Sequence, residues 1–122
     1  MAHYVDGFVV PVPKKNLAAY KRISLKAGKL WKEFGAIDYV ECVADDVKPG
    51  KHTSFPQAVK LKAGEVVVFS WIVYKSRAAR DRINKKVMED PRLADMMDLK
   101  KVPFDAKRMF WGGFKPMVSL NG

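Results

Sequence analysis

Three charged residues stand among apolar neighbours. Asp6 lies within Tyr4-Val5-Asp6-Gly7-Phe8, Glu41 within Tyr39-Val40-Glu41-Cys42-Val43, and Arg108 just before Met109-Phe110-Trp111. A charge taken out of water must be paired or must shift its pKa. A carboxylate lifted toward neutrality beside Trp71 and Trp111 could act as a general base. The competing reading makes the same charges a structural ion pair at a subunit seam. Asp6, Glu41 and Arg108 are therefore the candidate catalytic groups, and Trp71, Trp111 and Ser70 the candidate ligand contacts.

The other reactive side chains point to little. Cys42 is the single cysteine and sits beside Glu41. A neighbouring carboxylate raises a thiol pKa and blunts its nucleophilicity, so Cys42 is expected to be a buried small hydrophobe. The two histidines, His3 and His52, are far apart, and with one cysteine they spell no zinc pattern. His52 falls in a turn-rich loop. Gly112-Gly113 lies in a strand-like stretch with no helix after it, which is not a phosphate loop. No cofactor or metal is implied.

Hydrophobic periodicity supplies the elements that would position these groups. Tyr4 to Val12 reads as a strand, rich in Val, Tyr and Phe, with Pro11 and Pro13 ending its ladder. Lys14 to Phe34 reads as a helix, because Leu17, Tyr20, Ile23, Ala27, Leu30, Trp31 and Phe34 recur at three- and four-residue steps. Gly35 fits the position after its C-cap, and Gly28 is a weak point inside it. Ile37 to Ala44 is a second strand. Asp45 to Phe55 carries turn chemistry. A third strand is expected from about Gln57 to Tyr74, interrupted at Ala63-Gly64-Glu65. Ser76 caps a second helix over Arg77 to Glu89, and Asp90-Pro91 opens a short one to Met97. Pro103-Phe104-Asp105 is a loop. Lys107 to Phe114 closes the order as a strand whose Gly112-Gly113 suggests a bulge or a close backbone approach.

The result is β-α-β-β-α-β, the ferredoxin-like split pattern: an α+β fold with a four-stranded antiparallel sheet, in one domain over residues 1–122. In that order the first and last strands are antiparallel neighbours, which makes an Asp6–Arg108 pair the expected partnership. Alternate strand residues face opposite sides. Val66, Val68, Ser70, Ile72 and Tyr74 share one face, and Val67, Phe69, Trp71 and Val73 share the other. Phe110 and Phe114 likewise oppose Met109 and Trp111. Both faces are apolar, yet both helices cover the same one. A second copy packing sheet to sheet would bury the rest; a third layer built by the 45–55 loop or the C-terminal tail is the competing cover.

Size and charge bound the class. The chain has 122 residues, 48% hydrophobic and 30% charged, a globular balance long enough to form a core without disulfides. No apolar run approaches the roughly 20 residues a membrane span needs. Neither an export signal nor paired cysteines are seen, so a cytoplasmic setting is expected. The net charge of +10 favours anionic partners in general. The basic residues are spread along the chain, however. The second helix interleaves Arg77, Arg80, Arg82, Lys85 and Lys86 with Asp81 and Glu89. The RNP1 motif of RNA-binding sheets is absent, and nucleic acid is not expected as a partner.

Several segments together carry a family resemblance. They are Tyr4-Val5-Asp6-Gly7-Phe8, Lys32-Glu33-Phe34-Gly35-Ala36, Glu41-Cys42-x-Ala44-Asp45-Asp46, Val68-Phe69-Ser70-Trp71-Ile72, Arg80-Asp81-x-x-Asn84, Met88-x-Asp90-Pro91-Arg92, and Pro103-Phe104-Asp105-x-Lys107-Arg108-Met109 ending in Gly112-Gly113-Phe114. The chain resembles the YbaA-like bacterial family, a domain of unknown function (1428). The resemblance implies a dimeric α/β-barrel protein whose subunits pack sheet to sheet. It implies no catalytic role, because the family has no established activity. Lys75 and Trp111 stand where the family often has Pro and Tyr.

The functional expectation is a homodimer that binds a small, partly aromatic or acidic molecule between sheet and helices, with cofactor-free acid/base chemistry as an extension. A non-enzymatic binding or stress-response dimer is the alternative, and a basic nucleic-acid-associated domain the third.

Overall fold

A computed structural model of the chain describes residues 3–98 and 102–120. Strand β1 spans Tyr4–Pro13 and helix α1 Leu17–Glu33, entered through a 3-10 turn at Lys14–Asn16. Strand β2 is Asp38–Val43, followed by a one-turn helix α2 at Phe55–Ala58 and strand β3 at Glu65–Tyr74. Helix α3 is Arg77–Glu89, helix α4 Pro91–Met96, and strand β4 Phe110–Phe114. The four strands form one antiparallel sheet in the order β2-β3-β1-β4. This is the ferredoxin-like α+β arrangement.

The caps fall where the side chains call for them. Ser76 accepts a hydrogen bond from the Ala79 N–H and Asp90 from the Arg92 N–H, satisfying orphan donors at the starts of α3 and α4. Gly35 ends α1 with a left-handed φ of 117°. Pro11 and Pro13 do not end β1: its ladder with β3 continues to Pro13. The fourth strand pairs only with Val5–Val9, so the prolines lie where β1 has a ladder partner on one side alone, which tolerates a missing N–H.

Two expected strands are shorter. Residues 57–64 are not strand: Ser54 accepts from the Gln57 N–H and Pro56 sits in the first turn, which starts α2 instead. Lys60 (φ 52°) and Gly64 (φ 79°) then take left-handed backbone that no strand can carry. Residues 107–109 are not strand either. The Asp105 carboxylate accepts from the Lys107 N–H and winds Ala106–Arg108 into a 3-10 turn.

Helices α1, α3 and α4 cover one sheet face. Trp31, Ile72, Tyr74, Ile83 and Val87 are buried in the main cluster there. Val10, Val12 and Val68 form a second cluster toward Leu17 and Phe104. Each such side chain contributes about 1.5–3 kcal/mol on burial. Over the opposite face α2 and its flanking loops shield one end, where Val59 packs on Val9 and Val67. The rest of that face is open: Phe69 is 43% and Phe114 63% exposed, with Phe110 also exposed. The anticipated third layer therefore reaches only one end of this face. Cys42 is exposed on that face opposite Phe69, not buried, because β2 is an edge strand.

Candidate functional site

Strand register places one row of side chains across the whole helix-covered face. Glu41 on β2 is opposite Ser70 on β3, Ser70 opposite Phe8 on β1, and Phe8 opposite Trp111 on β4. The row spans three strand spacings, about 14 Å. It floors a cleft of about 350 Å³ roofed by α1, α3 and α4. Ser70 is what opens this space. It interrupts an otherwise branched and aromatic strand, so the floor lacks a bulky side chain between Val68 and Ile72.

The cleft is mostly apolar, with polar groups at one end. The rings of Phe8 and Trp111 stack with centroids 6.1 Å apart at 25°. Trp31 and Tyr39 close the other side, 5.9 Å apart. Gly28 in α1 lets this happen: a Cβ there would lie 2.6 Å from the Tyr39 ring. The glycine that weakens the helix thus admits the ring. Glu41 accepts hydrogen bonds from three hydroxyls, those of Tyr20, Ser24 and Tyr39, the last at 2.7 Å. Burial first, and the Glu41 charge second, raise the phenol pKa values of Tyr20 and Tyr39, so both stay protonated donors. Ser70 is 5% exposed. Its hydroxyl makes no hydrogen bond to another described residue. Met88, Met97 and Met109 lie around the cleft, adaptable side chains that can adjust to an occupant.

Asp6 and Arg108 are not brought together. Register pairs Asp6 with Gly113, whereas Arg108 precedes β4 in the 3-10 turn. Asp6, with no exposed surface, instead accepts from Arg80 Nε at 3.0 Å and Asn84 Nδ2 at 3.3 Å. Asn84 Oδ1 in turn accepts from Trp31 Nε1 and the Tyr74 hydroxyl, each at 3.0 Å. The Arg80 guanidinium lies 5.0 Å from the Tyr4 ring centroid, in cation–π range. A Cβ on Gly113 would collide with Arg80 and the Tyr4 hydroxyl, so the close backbone approach expected at Gly112-Gly113 is real at Gly113.

Arg108 forks onto Glu65 at 2.6 and 2.7 Å and onto Asp105 at 2.9 Å, and reaches the Lys60 carbonyl at 3.1 Å. It clasps the α2 loop to the turn before β4. Of the six candidate residues, Glu41, Ser70 and Trp111 line the cleft by their side chains, and Asp6 and Arg108 do not line it. Trp71 borders it only from the other face: its register partners are Gly7 and Val40, and its ring packs 5.7 Å from Phe69. Alternation within β3 forbids Trp71 and Ser70 from sharing a face. Sequence reasoning missed Arg80, Asn84, Tyr20 and Tyr39. The signal for the first two was their i, i+4 spacing next to the buried Ala79–Ile83 ridge of α3.

Among the described residues, no group of three or more His, Cys, Asp or Glu is placed to hold a metal, and no helix is long and apolar enough to cross a membrane.

Sheet order and cleft define a ferredoxin-like α+β protein. The chain belongs to the family described as Protein of unknown function (DUF1428), whose profile matches residues 3–106. The uncharacterized protein YbaA of Escherichia coli K12 is 50% identical over 115 residues, covering 94% of this chain and 97% of the relative. The same protein of Shigella flexneri matches equally. Among solved structures, a cofactor-independent oxygenase, SnoaB of Streptomyces nogalater in a mutant form, superposes with a TM-score of 0.58 at 12% identity over 99% of this chain and 97% of that one. A NIPSNAP family protein of unknown function from Agrobacterium tumefaciens gives 0.59 at 12% identity over 93% and 87%. A dimeric ferredoxin-like protein from an uncultured marine organism gives 0.52 at 9% identity over the full length of both. At these identities the likeness is one of fold.

Proposed function

We propose that this protein binds a small organic molecule in the cleft between its sheet and its helices, as a homodimer joined through the open sheet face. One observation carries the reading: Ser70, only 5% exposed as a residue, keeps its hydroxyl open to the cleft floor with no hydrogen-bond partner among the described residues. A hydroxyl that the protein leaves unused on the wall of an apolar cavity is a ligand contact in waiting. Apolar walls around a few convergent polar groups are what small-molecule sites offer. Any acid/base chemistry rests on Glu41 alone, since Asp6 and Arg108 are committed elsewhere.

The test uses N-phenyl-1-naphthylamine, an apolar dye that is uncharged at neutral pH and brightens when it leaves water. The native chain takes up one dye per subunit. Ser70→Leu, which restores a branched side chain to the floor, abolishes uptake while the circular dichroism spectrum stays native. Phe69→Glu, on the opposite face, leaves uptake in place. Uptake that survives Ser70→Leu and disappears with Phe69→Glu puts the dye on the sheet's other side and removes the proposal.

A further inference from the structure

Resting on the binding reading above, we propose that the cleft is built for an organic cation: a protonated amine carrying an apolar or aromatic body. Glu41 is the only charged side chain among the described residues that line the cleft. Its three partners, Tyr20, Ser24 and Tyr39, are neutral hydroxyls. No described lysine, arginine or histidine lies within ion-pairing distance of it. The hydroxyls solvate the carboxylate but leave its charge uncancelled inside an apolar space. Every other buried or half-buried carboxylate described in the site has an arginine: Asp6 has Arg80, and Glu65 and Asp105 have Arg108. Glu41 is the exception, and it faces the cavity.

The geometry suits an ammonium group better than an alcohol. A carboxylate has about four acceptor positions, so three hydroxyls leave one free. Ser70 is the cross-strand neighbour of Glu41, and side chains so paired are about 5 Å apart at Cβ. One ammonium nitrogen can therefore donate to the spare Glu41 position and to the Ser70 oxygen at once. An alcohol has a single proton and satisfies one of the two. A carboxylate ligand meets only the like charge of Glu41 and no described cation. Trp31, Tyr39 and Phe8 also line the cleft, and aromatic rings attract a cation that reaches their faces. The chain's net charge of +10 works against an amine and for an acid, so a preference for amines has to come from the cleft itself. This keeps the aromatic half of the sequence-based expectation, a partly aromatic or acidic molecule, and reverses the acidic half.

Three ligands of one skeleton separate the cases: phenethylamine, phenethyl alcohol and phenylacetate, titrated at neutral pH against displacement of the dye. The amine is expected to bind about tenfold tighter than the alcohol, the advantage of a charged hydrogen bond over a neutral one, and phenylacetate weakest of all. Glu41→Gln reduces the amine to the alcohol's affinity, each ligand being read against the dye affinity of that same chain. Raising the salt concentration on the native chain weakens the amine and not the alcohol, which decides the matter if the variant fails to fold. Phenylacetate binding as tightly as the amine, or an amine preference that persists in Glu41→Gln, overturns the proposal. Dye uptake with no order among the three ligands ends the cation assignment and keeps the binding site; no dye uptake at all ends both.

Discussion

Asp6 has the least forgiving environment of any charge among the described residues. Its side chain is 1% exposed against 16% for Arg80, and Gly113 is left without a Cβ so that the guanidinium can approach β4 from above. Removing one partner of such a pair strands the other in a low-dielectric interior. Asp6→Ala is expected to lower unfolding stability by about 3–5 kcal/mol, read as the urea midpoint at constant slope. A loss under about 1 kcal/mol, the range of exposed pairs, would mean that Arg80 is well solvated and that the network through Asn84, Tyr74 and Trp31 holds little together. The chemistry of this cluster is structural by position: it lies beneath α3, where only Asn84 and Trp31 of its members reach the cleft lining. Glu41 differs because its hydroxyl partners hold it in place without neutralising it.

At the scale of elements, Arg108 is the tie between the α2 loop, the start of β3 and the turn before β4. Its guanidinium, the first cause in both cases, holds the Glu65 and Asp105 carboxyls below their ordinary values. A carboxyl depressed in the folded state adds stability that is complete above its unfolded pKa, about 4, and is lost as pH falls through the folded value. Native melting temperature should therefore drop as pH falls below about 4, and Arg108→Gln should melt lower at pH 7 with a shallower acid decline. Parallel declines for both chains would show that the clasp carries no acid sensitivity. The same clasp marks where sequence reading stopped. Strand order was legible, because alternation and cap residues fixed the elements and the split pattern made β1 and β4 neighbours. Register was not: nothing in the spacing of Asp6 and Arg108 told that Gly113, five residues beyond Arg108, would stand opposite Asp6. Ser54-x-x-Gln57 around Pro56 carried a helix start inside a stretch that looked like strand. Half of the cleft was readable, since Glu41, Ser70 and Trp111 sit in strands whose alternation put polar or aromatic residues inward. Trp71 was placed there against that same alternation.

For the molecule as a whole, the proposed two-copy assembly rests on the open sheet face. Phe69, Trp71, Phe110 and Phe114 lie on it with Val40 and Cys42 alongside, and α2 covers only the end near Val9 and Val67. Phe69, Phe110 and Phe114 are 43%, 46% and 63% exposed, and neighbouring exposed rings of this kind mark an interaction surface. A two-fold copy would stack the two sheets about 10 Å apart, interleave these rings and bury Cys42 as well. Phe69 is the best lever, because its register neighbours Val9 and Cys42 leave the helix-side cleft untouched by a change there. At micromolar concentration the native chain is expected to sediment with twice the mass of its 122 residues. Phe69→Glu should sediment as a folded single subunit, because each copy would then set a charge against its mate's rings, a cost of several kcal/mol. Cys42 offers an independent readout: a thiol reagent should react slowly with the native protein and quickly with the Phe69→Glu variant. A native chain that stays single at these concentrations, with Cys42 reacting at the rate of a free thiol, would leave the aromatic face open to solvent or to another kind of partner, and the two-copy architecture would have to be abandoned.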